Sequence, residues 1–134
     1  MTDEVLADLA IASDEDVILA RQKVRSVCQQ LGFSMLDQTR VVTAVSELGR
    51  NIVVHAGRGR MILLKIEDAD REGLEARFED AGPGITDVDL AMTDGYSTAG
   101  SMGLGLRGAS RLVDDFEINT RPGDGTTVII RKWR

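Results

Sequence analysis

The 134 residues are 43% hydrophobic and 28% charged, enough apolar content for one packed core and too much for a disordered chain. Sixteen Lys and Arg against 22 Asp and Glu give a formal net charge of −6, so nucleic acid is not an expected partner and a bound anion must be held by local geometry. A single cysteine, Cys28, and a single histidine, His55, exclude an internal disulfide and any multi-Cys or multi-His metal site.

The acidic start Met1–Glu4 lacks the basic and apolar regions of a signal peptide, and no apolar run is long enough to span a membrane. With one thiol, this leads to the expectation of a cytoplasmic protein without membrane contact. Val5, Ala7, Leu9 and Ile11 alternate with mostly polar neighbours and predict a strand. Ser13 before Asp14, Glu15 and Asp16 predicts a helix start, and Val17, Ala20, Val24, Val27 and Leu31 carry one apolar face to a stop at Gly32. Ser34, with Asp37 three residues on, opens a second predicted helix. Val41, Ala44, Val45, Leu48, Ile52 and Val53 extend it to about His55, before Gly57 and Gly59. Ile62–Ile66 and Leu74–Phe78 read as strands around a polar turn at Asp68–Gly73, and Leu104–Val113 as a helix. Phe116–Thr120 and Thr126–Trp133 read as a closing pair of strands around Pro122–Gly125. The order predicts a single α+β domain over residues 1–134, a two-layer sandwich with helices on one face of a mixed, largely antiparallel sheet.

Four short patterns carry chemistry. Glu47 and Asn51 are four apart and share one helical face, a carboxylate beside a carboxamide. Such a pair suits a general base and a hard-metal ligand, and it also occurs on any solvated helix stripe. Asp80-Ala81-Gly82-Pro83-Gly84 follows a predicted strand; the carboxylate can accept from an exocyclic amine and the glycines allow close approach, as they would in a plain tight turn. Gly103-Leu104-Gly105-Leu106 opens a helix, where backbone N–H groups face an anion. The string Gly103–Gly108 matches G-x-G-x-x-G, but a polar loop precedes it instead of an apolar strand, so a dinucleotide fold is rejected. Gly125-Thr126-Thr127 starts the last strand.

In this order the four patterns resemble the Bergerat ATP-binding fold of histidine-kinase catalytic domains, gyrase B and Hsp90. Ala44–Ile52, Asp94–Thr98 and Lys132-Trp133 are similar to the RsbT-type serine/threonine kinases of the stressosome, within the anti-sigma-factor, RsbW-like branch. The resemblance implies ATP and Mg2+ as cofactors, with Asn51 as the metal-binding residue. Glu47 would orient or deprotonate the attacking hydroxyl. Asp80 would bind adenine, with Gly82 and Gly84 shaping its pocket and Thr126 in support. Gly103, Leu104, Gly105 and Leu106 would offer N–H groups to phosphates, and residues 87–102 would form a lid. Arg107 could reach a phosphate or face solvent. The implied function is phosphorylation of a STAS-domain scaffold protein, followed by activation of an output protein such as a PP2C-type phosphatase. Two other functions stay open: an RsbW-like anti-sigma factor that phosphorylates its STAS antagonist, and a nucleotide-binding interaction module without transferase activity.

Overall fold

The structure is a computed structural model that describes residues 2–82, 84 and 103–134. Strand β1 (Thr2–Ile11) leads into helix α1 (Asp14–Gln30). Ser13 caps α1 as its spacing predicts, its Oγ accepting from Asp16 N at 3.2 Å. Gly32, at φ +80°, takes the left-handed position that ends it. Helix α2 (Met35–Asn51) begins in the same way, Ser34 Oγ accepting from Asp37 N at 3.1 Å. Beyond Asn51 the helix does not stop. It widens into a π-helical turn, Ile52–Ala56, closed by Gly57 N donating to Ile52 O at 2.9 Å, with Gly57 at φ +83°.

Strands β2 (Gly59–Asp68) and β3 (Arg71–Asp80) form a hairpin longer at both ends than the apolar runs predict. The turn narrows to Ala69 and Asp70, since polar residues with cross-strand ion pairs extend the ladder, such as Lys65 with Glu72 at 3.3 Å. Helix α3 (Gly103–Arg111) ends two residues before the predicted Val113. Strands β4 (Asp115–Arg121) and β5 (Gly125–Trp133) complete the sheet. The strand order is β1-β2-β3-β5-β4, and all four pairings are antiparallel, so the parallel component allowed in a mixed sheet is absent among the described strands.

The core lies on the helix side of this sheet. Val17, Val24 and Val27 of α1, Val41, Val45 and Leu48 of α2, and Leu106 and Ala109 of α3 pack on Met61, Leu63, Ala76, Phe78, Val128 and Ile130. Gly49 lets the two long helices close, since a Cβ there would stand 3.3 Å from Val17 Cγ2. Cys28 is fully buried here, and burial pushes its thiol up to about 12, with Arg25 lowering and Asp37 raising it slightly. A bulge between Val5 and Ala7 inserts Leu6 into the β1 ladder. Ala7 and Leu9 pack on the core, whereas Val5 turns outward and is 63% exposed.

The other sheet face carries no described helix, yet it buries Glu75 to 1% exposure. Arg77 Nε and Arg131 Nε each donate to one of its carboxylate oxygens at 2.6 Å. Arg131 lies directly across from Glu75 on β5, so its ion pair fastens β3 to β5 from behind, while that of Arg77 stays within β3.

Candidate functional site

The open ends of α2, β3 and β5 meet at one place. Asp80 is the last residue of β3, opposite Gly59 of β2 on one side and Thr126 of β5 on the other. Both neighbouring strands need glycine there. A Cβ on Gly59 would stand 3.1 Å from Asp80 Cβ and 3.0 Å from Ile52 Cγ2. Gly125, at φ +93°, lies where a Cβ would overlap the Asp80 carbonyl oxygen. Asp80 is therefore packed closely on both flanks while its side chain turns toward the helices.

A narrow slot results, lined by Asn51, Asp80, Leu106 and Thr126 with Leu48, Ile52, Phe78 and Val128 around them. Its free volume is only about 10 Å3, and it adjoins, through Asp80 and Thr126, a broader polar cleft of about 390 Å3 along the β4–β5 turn. Leu106, the residue of α3 that lines the slot, directly follows Gly105 in the first turn of that helix.

The slot's polar groups are not all satisfied. Asn51 Nδ2 is buried with no hydrogen-bond partner among the described residues, a condition that costs about 1–3 kcal/mol. The π-helical turn begins immediately after this residue. Asp80 uses one oxygen locally, Oδ1 accepting from Gly82 N at 2.9 Å. Its Oδ2 has no hydrogen bond among the described residues. Thr126 is 5% exposed, and its hydroxyl lies 2.9 Å from that of Thr120 on β4.

Of the residues singled out in the sequence, the structure thus brings together Asn51, Asp80, Leu106 and Thr126. Glu47 is half-buried one turn before Asn51 on the same side of α2, and is not among the slot's lining residues. Gly82 and Gly84 serve close packing of the loop after β3. A Cβ on Gly82 would meet Ala56 Cβ at 2.7 Å, and one on Gly84, at φ +76°, would overlap the Arg121 carbonyl oxygen. Arg107 is on the exposed side of α3 and His55 is half-buried in the π-helical turn. The predicted lid, residues 87–102, lies outside the described residues. Sequence reading missed Gly59 as more than a helix stop, and it missed Thr120; both belong to the site through strand register, which no local pattern encodes.

Asn51 fits a hard cation held against phosphate. A half-turn of its carboxamide exchanges the orphaned amide for the carbonyl oxygen at the same place, a ligand Mg2+ accepts alongside waters and phosphate oxygens.

The fold and the slot define a nucleotide-hydrolase-like α+β domain, and the chain belongs to the Histidine kinase-like ATPase domain family, which matches residues 11–132. Among individual proteins, it is similar to the serine/threonine-protein kinase RsbT of Bacillus subtilis, 44% identical over 123 residues that cover 92% of each chain. It is also similar to the anti-sigma F factor of Clostridium kluyveri, 29% identical over 127 residues covering 91% of this chain and 89% of that one. A crystal structure of the RsbU and RsbW domains of a Mycobacterium tuberculosis protein shares the fold. Its TM-score is 0.64 at 21% identity, over 96% of this chain and 33% of that longer one. No helix among the described residues is long and apolar enough to cross a membrane.

Proposed function

We propose that this protein is an ATP-dependent serine/threonine kinase that phosphorylates a STAS-domain partner and, once released, activates an output protein such as a PP2C-type phosphatase. The observation that carries this reading is the slot joining Asn51, with its unpartnered amide, to Asp80 and Thr126 across the sheet end, in a chain 44% identical to RsbT. In this reading Asp80 accepts from the amine of the adenine ring. The N–H groups of the first turn of α3 and the positive end of its dipole hold phosphate oxygens. Asn51 holds Mg2+, which supplies charge neutralisation on the phosphates. Glu47, one turn away, takes the proton of the attacking serine hydroxyl. Phosphoryl transfer depends mainly on positioning and electrostatics, so a docked partner that presents its hydroxyl completes the site, and hydrolysis by the chain alone is slow.

The test is incubation with labelled ATP, Mg2+ and a STAS-domain protein. Label should pass to a serine or threonine of that protein and be lost with Glu47→Gln, which should still bind ATP. Undiminished transfer by Glu47→Gln would remove Glu47 from the mechanism, and ATP binding with no transfer to any partner would leave a nucleotide-dependent interaction module. The similarity to anti-sigma F factor favours a second reading, in which the chain sequesters a sigma factor and phosphorylates the STAS antagonist that frees it. Pull-downs against a sigma factor, and against a STAS scaffold with its phosphatase, separate the two.

A further inference from the structure

We infer that Thr120, a residue with no part in the roles assigned above, is a positioning residue that fixes the hydrogen-bond polarity of Thr126 and so makes the site select a 6-amino purine over a 6-oxo purine. The inference rests on the nucleotide reading of the slot and adds a determinant of base choice to it.

The argument starts from counting protons. Thr120 Oγ1 donates to the carbonyl oxygen of Gly125 at 3.1 Å, and a carbonyl can only accept. Either oxygen of the 2.9 Å contact between Thr120 Oγ1 and Thr126 Oγ1 can be the donor, but a hydroxyl has one proton, and with that of Thr120 on Gly125 the contact is made by the proton of Thr126. The order is therefore Thr126 O–H to Thr120, and Thr120 O–H to Gly125. Gly125 and Thr120 are held in place by the β4–β5 ladder, in which Thr120 faces Thr126 and Arg121 faces Gly125. Thr126 is 5% exposed, which leaves little water to offer its proton an alternative acceptor.

With its proton committed to β4, Thr126 presents only lone pairs to the slot. Directly across the β3–β5 pair stands Asp80, whose Oδ1 already accepts from Gly82 N and whose Oδ2 is a second acceptor. Two acceptors thus line the same slot from paired positions. An exocyclic amine brings two N–H donors there, whereas a 6-oxo group brings an oxygen that meets only other acceptors. Removing the Thr120 hydroxyl reverses this. The Thr126 proton then turns toward Asp80, occupying the carboxylate and offering a donor to an incoming oxygen.

The experiment measures the affinity of the full chain for ATP and for inosine triphosphate at equal Mg2+. The wild type should prefer ATP. Thr120→Val should lower the ATP-to-ITP ratio by about tenfold or more, the worth of roughly one hydrogen bond, and Thr120→Ser should keep the wild-type ratio. In a Thr126→Val background, Thr120→Val should change nothing further, because its effect passes through Thr126. Thr120→Ala serves if Thr120→Val fails to fold by circular dichroism. A folded Thr120→Val with the wild-type ratio would overturn the inference, as would an equal effect with and without Thr126. A wild-type chain that binds neither nucleotide would overturn the nucleotide reading itself, a separate result visible before any variant is made.

Discussion

Both faces of the sheet bury polar side chains, and they treat them in opposite ways. Behind the sheet, Glu75 is 1% exposed and both of its oxygens are claimed by arginines at 2.6 Å. In front, Asn51 keeps a buried amide without a partner, and Asp80 keeps one oxygen uncommitted among the described residues. A polar group whose role is to hold strands together is satisfied by the chain itself. A polar group left short of partners in a slot is a cost to folding that a ligand can repay.

Asn51→Ala gives the largest expected effect and the sharpest test of that contrast. ATP binding and transfer should fall by about 100-fold or more, the scale of losing a metal or phosphate anchor. Resistance to urea should stay the same or rise, since the variant removes an unsatisfied group. If stability falls instead, the amide is structural and the contrast breaks. Glu75→Ala should do the reverse. It should lower unfolding free energy by about 2–3 kcal/mol in a urea titration, somewhat less than a fully buried pair because both arginines are partly hydrated, with ATP affinity unchanged.

Gly82→Ala tests where the front region ends. Its Cβ would stand 2.7 Å from Ala56 Cβ, so the loop must shift. A cost of about 1–2 kcal/mol in thermal unfolding is expected, together with weaker ATP binding, because Gly82 N also holds Asp80. The last effect belongs to a buried group remote from both regions and is absent at neutral pH, where it is the smallest of the set. The Cys28 thiol is raised from 9.0 to about 12 by burial, so it stays protonated in the folded chain while the unfolded chain ionises. Its contribution is complete below about pH 9 and is lost as pH rises toward 12, at about 1.4 kcal/mol per pH unit. The difference in urea stability between wild type and Cys28→Ala should shrink with that slope above about pH 9.

Elements whose cause is local were legible in the sequence. Ser13 and Ser34 cap the helices, Gly32 stops the first, and the apolar steps from Val17 to Leu31 mark its buried face, because each effect acts within a turn or two. The ordered motifs also marked Asn51, Asp80 and Thr126, which the fold gathers from positions spread over 76 of the chain's residues. What stayed hidden depends on register. Alternation groups Val5 with Ala7, Leu9 and Ile11, and the bulge between Val5 and Ala7 separates it from them. No local pattern singles out Glu75, and it is buried with Arg131, 56 residues away, across from it. Thr120 reads as an ordinary strand threonine until the β4–β5 pairing sets it against Thr126.

The π-helical turn after Asn51 has a mechanical consequence. One unbroken stretch of backbone runs from Asn51 to Ala56, and Ala56 is the residue Gly82 would touch with any side chain at all. Gly82 in turn clasps the Asp80 carboxylate. The residue suited to the metal-bound tail of a nucleotide and the residue suited to its ring are thus the two ends of a single short lever. Under the proposed reading, a ligand that displaces one end should shift the other, and any such coupling would be reciprocal.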